Sequence, residues 1–191
     1  MPAPKREHLL QTAESLFSKE GFKGISVDRL INEAGVAKMT LYKGFDSKDA
    51  LICETLRRRA NRLEALVARV IQHAGADPQT RLLSCFDAMD IWATRDDFNG
   101  CYFINALGEF GEEDHEVADI VRSYKNSFLK QLQALCEDCH VPEPETTAQN
   151  ILMLIDGATV TRMTLGDTAS YQRAKTLAAG LLPQADQAQK S

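Results

Sequence analysis

Cys136-Glu137-Asp138-Cys139-His140 spells Cys-x-x-Cys-His, a spacing that would suit covalent haem attachment, metal ligation or dithiol redox chemistry. No second ligand pair stands at zinc spacing, and Leu132 and Leu135 put the motif at the end of a helix facing a core. The sulfurs therefore read as buried packing, and no metal or cofactor is expected. The acidic run Glu112-Glu113-Asp114-His115-Glu116 reads as a solvated loop in which Asp114 caps the next helix. Cys101, between Gly100 and Tyr102 at the start of a short helix, could be a thiolate sensor of electrophiles or a structural buried cysteine. The four histidines are scattered, and no Ser or Cys nucleophile has a base at workable spacing, so an enzyme is not expected.

The groups that could act without covalent chemistry concentrate between residues 26 and 48. Ser26 can cap a short helix whose inward stripe is Leu30, Ile31 and Ala34. Gly35 ends it by taking a left-handed conformation, and Val36 staples the corner. A second helix of about two turns then runs from Ala37 to Lys43. Leu41 points inward, leaving Lys38, Met39, Thr40, Tyr42 and Lys43 outside. This is helix-turn-helix logic, in which the second helix enters the major groove of double-stranded DNA.

The charge agrees once it is divided along the chain. The 191 residues carry a net charge of −5. Through Arg62 there are 12 Lys and Arg against 8 Asp and Glu, and beyond it 10 against 19. A basic head can meet phosphates while an acidic body stays off the duplex. Arg57, Arg58, Arg59 and Arg62 lie two or more turns past Lys48 and read as a solvated face. No apolar run is long enough to cross a membrane and no signal core follows Met1, so a cytoplasmic location without membrane contact is expected. Five cysteines then read as reduced thiols.

The elements that must position these residues are helices throughout. Leu9, Ala13, Leu16 and Phe17 recur at helical spacing before Gly21. A long helix runs from Ser47 to His73 with Leu51, Leu56, Leu63, Leu66, Val67, Val70 and Ile71 on its apolar side. Asp77-Pro78 caps and opens the next. A short helix spans Tyr102 to Phe110, and a longer one carries Val117 to Leu135. Pro144 opens another, and Tyr171 to Leu182 form the last. No alternating strand and no repeat is apparent. The expected architecture is all-α: an N-terminal three-helix head over 1–47, a helical ligand-binding and dimerisation body over 48–183, and a disordered tail over 184–191.

The run Ala13-x-x-Leu16-Phe17-x-x-x-Gly21-Phe22, then Ser26-Val27, Ala34-Gly35-Val36, Thr40-Leu41-Tyr42, Phe45 and Ser47-Lys48-x-x-Leu51, resembles the N-terminal signature of the TetR family of transcriptional repressors. Asn99-Gly100-Cys101-Tyr102-Phe103-Ile104-Asn105 and Asp156-Gly157-Ala158 resemble segments of one branch of it. The resemblance implies a homodimer on a palindromic operator, released by a small molecule held in the body. It also implies that Ser26 caps its helix and meets phosphate, that Thr40 and Tyr42 belong to the recognition helix, and that Lys48 approaches the DNA backbone. Lys38, Met39 and Lys43 occupy more variable positions and would carry operator preference. Three residues depart from the pattern: Gly44, where a large polar or aromatic residue is usual, Ile31 for alanine, and Ala37 for a capping serine.

For the effector, the apolar walls and polar anchors available in the body are Met89, Asp90, Trp92, Cys101, Phe103, Asn105, Phe110, Tyr124 and Phe128. Ile151-Leu152-Met153-Leu154-Ile155 is apolar nearly all round, so with the Leu177 to Leu182 helix it is expected to pair with a second copy. A DNA binder without ligand control, or an enzyme on a small hydrophobic substrate, are the competing readings.

Overall fold

Apolar stripes at helical spacing become helices, and the caps and glycines between them become the turns. The computed structural model describes residues 3–111 and 115–183. Among these it contains nine α-helices and no strand: α1 (Ala3–Glu20), α2 (Val27–Glu33), α3 (Lys38–Gly44), α4 (Lys48–His73), α5 (Pro78–Ala93), α6 (Tyr102–Phe110), α7 (His115–Asp138), α8 (Pro144–Leu165) and α9 (Ser170–Ala179). No helix among the described residues is long and apolar enough to cross a membrane. The expected tail over 184–191 and the expected cap at Asp114 lie outside the described residues.

Local chemistry explains the boundaries. Ser26 caps α2 by accepting from Arg29 N at 3.1 Å, and Ser47 caps α4 by accepting from Ala50 N at 2.9 Å. Asp77 caps α5 ahead of Pro78, its carboxylate accepting from both the N–H and the hydroxyl of Thr80. Two of those bonds hold its carboxyl below the ordinary carboxylate range, the hydroxyl one contributing most.

The chain divides into two compact units. The first comprises Met1–Arg62 with Asp96–Ser123, the second Leu63–Arg95 with Tyr124–Ser191. This division by packing does not coincide with the expected boundary at residue 47, because α6 and the start of α7 pack in the same unit as α1–α3. The first unit buries Leu9, Phe17, Phe22, Leu30, Leu41, Leu51 and Tyr102. The second packs α5, α8 and α9 through Leu82, Phe86, Ile151, Ile155, Tyr171 and Ala174.

The two helices expected to pair with a second copy each have a buried and an exposed side. Ile151 and Ile155 are buried, while Met153 is 71% exposed. The segment thus has an inner and an outer side. Leu177 on α9 is 63% exposed, because Tyr171, Ala174 and Ala178 supply the buried side.

The Cys-x-x-Cys-His motif falls at the end of α7, with Leu132 and Leu135 buried beside it. Burial raises the Cys136 thiol to about 11 and also raises that of Cys139, which favours protonated, unreactive sulfur. Cys85, on α5, is pushed up to about 12 by burial first, then by Cys136.

Candidate nucleic-acid interface

The turn between α2 and α3 follows from one glycine. Ala34 closes α2, Gly35 has φ +59°, and Val36 N donates to Ile31 O at 3.0 Å, which turns the chain while satisfying carbonyls at the helix end. Leu30 and Ala34 are buried as expected, whereas Ile31 is only half-buried. The expected Ala37–Lys43 helix is shifted by one residue to Lys38–Gly44. Ala37 is its N-cap, in extended conformation and without a side-chain cap bond. Alanine has no acceptor to offer there, a deficit of about 1 kcal/mol relative to serine.

α3 buries one side chain, Leu41. Met39 is 66% and Tyr42 44% exposed. Lys38 and Lys43 are exposed too, and Thr40 is half-buried. Lys38 Nζ lies 3.4 Å from Asp28 on α2, an exposed pair that costs little to break when a phosphate competes. Ser26 is exposed at the N-terminus of α2, its hydroxyl accepting from Arg29 N. Lys48 is half-buried at the start of α4, its ammonium donating to Lys23 O at 3.4 Å. Desolvation draws Lys48 below its ordinary value, opposed by the nearby carboxylates of Asp49 and Glu109. The structure thus brings Lys38, Met39, Tyr42 and Lys43 onto one exposed short helix, with Ser26 and Lys48 on neighbouring elements of the same unit.

One expectation about arginines is overturned. Arg57 is exposed and paired with Glu116 at 2.8 Å, but Arg59 is 3% exposed and Arg58 half-buried. Glu14 on α1, itself 4% exposed, gathers Arg58, Arg59 and Arg62. Arg59 Nη1 bridges Glu14 at 2.9 Å and Asp97 at 3.1 Å, and its guanidinium lies 5.3 Å from the centre of the Tyr102 ring. The Tyr102 phenol donates to Thr55 Oγ1 at 2.9 Å, and burial drives it well above its ordinary value. The signal for this cluster was in the spacing. Leu10, Ala13, Glu14 and Phe17 share one face of α1, and Ile52, Leu56, Arg59 and Leu63 share one face of α4. A charged residue within each apolar stripe announces a buried pair.

The nine residues expected to hold an effector divide between the units. Cys101, Phe103, Asn105 and Phe110 belong to the first, and Met89, Asp90, Trp92, Tyr124 and Phe128 to the second. Cys101 is half-buried at the N-cap of α6. Phe110 packs edge-on against Phe22, with ring centres 5.9 Å apart, beneath the head. Phe103, Phe128, Met89, Trp92 and Tyr124 are all buried core. A cavity of about 500 Å³ in the second unit is lined by Leu66, Arg69, Val70, His73, Thr80, Ser84, Asp87 and Ile91 with Ala74, none of the nine.

A basic, outward-facing second helix after a glycine turn, in an all-helical chain, defines a helix-turn-helix DNA-binding regulator. Residues 9–55 match the model of the bacterial regulatory proteins of the tetR family. The chain is 27% identical over 143 residues to the transcriptional repressor DhaR of Mycobacterium sp. (strain GP1), covering 75% of this chain and 69% of that one. A TetR-family transcriptional regulator from Streptomyces coelicolor superposes with a TM-score of 0.86 at 25% identity, over 93% of each chain. Escherichia coli NemR in its reduced form shares the fold, with a TM-score of 0.80 at 22% identity over 94% of this chain and 98% of that one. Residues 9–55 therefore carry the N-terminal domain of the tetR-family regulatory proteins, and the described chain has the helical fold of TetR-family structures.

Proposed function

We propose that this regulator is a ligand-responsive repressor that binds a palindromic operator as a homodimer and is released by a small, largely apolar effector. The observation that carries the DNA reading is α3, which buries Leu41 alone while Met39 and Tyr42 stand 66% and 44% exposed. A helix of seven residues so little buried contributes little to its own fold. Ser26 and Lys48 set the register through phosphates, and Lys38, Met39, Thr40, Tyr42 and Lys43 meet base edges or the adjacent backbone.

The homodimer reading is supported by the outer sides of α8 and α9, where Met153, Val160, Met163, Leu165 and Leu177 are exposed. A two-fold pairing there places two copies of α3 along one face of the duplex, matching an inverted repeat. Repression as the direction of control is supported by the name of DhaR, a repressor. The head of residues 1–47 would be the DNA-binding part, the protein cytoplasmic, and the effector held within residues 48–183. Effector binding would shift α4 and alter the spacing of the two heads, for which a coupling of about 1–3 kcal/mol suffices.

A gel shift on DNA flanking its own gene, repeated over a salt series and with candidate apolar molecules, tests the reading. A salt-sensitive shift that one such molecule reverses is expected. Binding that no candidate reverses would favour a DNA binder without ligand control. Absence of any shift would remove the reading altogether.

A further inference from the structure

The entry to the helix-turn-helix is held by a carboxylate far away in sequence. α1 ends at Glu20 and the chain turns at Gly21, with φ +82°. The next two amides have left the helix, and both donate to Glu109 of α6. Phe22 N lies 2.8 Å from Oε1 and 2.9 Å from Oε2, and Lys23 N lies 2.7 Å from Oε2. Such charge-assisted bonds are shorter and stronger than neutral ones.

The surroundings are shaped to this carboxylate. The positive φ of Gly21 favours glycine, and a Cβ there would stand 2.7 Å from Glu109 Oε1, so any side chain would have to push the carboxylate off its present position. Phe22 is fully buried, its ring against Phe17, Tyr102 and Phe110. Lys23 Nζ lies 5.4 Å from the centre of the Phe110 ring, while the Lys23 carbonyl accepts from the Lys48 ammonium. One α6 residue therefore fixes the segment that holds Lys48 and leads, three residues later, into the cap at Ser26.

We propose that Glu109 is a positioning residue for DNA binding, its carboxylate holding the 21–23 corner so that Ser26 and Lys48 face the phosphate backbone together. The inference rests on the reading that those two residues meet phosphate. Phosphate contacts set register, so a loosened corner loses affinity through geometry although no DNA-contacting residue has changed.

The test uses the full chain and a duplex that the wild-type protein recovers from a random-sequence DNA library. Affinity is measured by fluorescence anisotropy across a salt series, at a temperature where each variant is folded by circular dichroism. Glu109→Ala is expected to bind about tenfold more weakly, with a salt dependence shallower by about one counterion. Glu109→Gln, which keeps the shape and one acceptor oxygen, is expected to fall between Ala and wild type, and carries the test alone if the alanine variant does not fold. Glu116→Gln, which releases only the exposed Arg57, is expected to match wild type. A purely structural role would lower the melting temperature while leaving affinity and salt slope of the folded protein unchanged. That result overturns the inference and leaves DNA recognition intact. A wild-type protein that recovers no duplex overturns both.

Discussion

In the first unit a charged group stands buried at the junctions that orient the head, whereas the α5, α8 and α9 interfaces of the second are mostly apolar and keep their charged pair toward the rim. Both buried charged residues among those described, Glu14 and Arg59, belong to the first unit. So does Glu109 on the corner amides. In the second unit the charged pairs Lys175–Asp87 and Lys125–Asp156 are part-buried, and the buried polar contact is Thr159 with Tyr171 at 2.8 Å. The difference teaches why each part looks as it does. Apolar burial has no direction and tolerates small shifts, while hydrogen bonds to charged groups fix an angle. A short helix with one buried side chain cannot orient itself by packing, so its frame must be fixed by directional bonds. A pairing surface needs area instead, and the exposed Met153, Leu165 and Leu177 supply it.

The contrast breaks most readily at Glu14. Glu14→Ala removes one of the two carboxylates on the buried Arg59 and the carboxylate shared with Arg58 and Arg62, while Arg58 keeps Glu7, at an expected cost of about 4 kcal/mol in urea denaturation. A cost below about 1 kcal/mol would mean that the ion cluster does not hold the first unit. Leu41→Ala comes next. It removes the lone buried anchor of α3 and is expected to cost about 3 kcal/mol and to abolish DNA binding. If the loss instead stays local, hydrogen exchange will show α3 open while α5 and α8 remain protected.

Leu177→Lys sharpens the other side of the comparison. The residue is 63% exposed, so the fold is expected to keep its stability within about 0.5 kcal/mol while sedimentation shows weakened self-association. A stable dimer in that variant would move the pairing surface elsewhere. The smallest effect concerns the Asp77 cap in the second unit. Its carboxyl is depressed below the ordinary 3.8, so its stabilisation is present above that pH and lost as pH falls below it. Melting curves of wild type and Asp77→Asn, which caps without titrating, are expected to converge only in that acid range.

The head was legible because its signals are local. Ser26, Gly35 and Leu41 act on residues within one or two turns, so their types and spacing carry the geometry. Even there, α3 begins one residue later than expected, with Ala37 standing outside it as an extended N-cap. The junctions were not legible in the same way. Glu14 and Arg59 show in the spacing only as charges on apolar stripes, and Arg59 reads as part of a solvated face because its partner lies 45 residues away. Glu109 gave no signal, since its partners are backbone amides 86 and 87 residues away, whose side chains do not enter the bond. The nine expected effector residues were chosen by type and not by place, and the fold divides them between units.

The central claim is that α3 reads the major groove from each of two paired chains. Dimethyl sulfate protection on a recovered duplex tests it most directly, because the reagent methylates guanine N7 in that groove. The account predicts two protected segments related by a two-fold axis, about one helical turn apart, both lost on Met39→Ala with Tyr42→Ala while the melting temperature holds. Undiminished protection by that double variant, or a single protected segment, would contradict it.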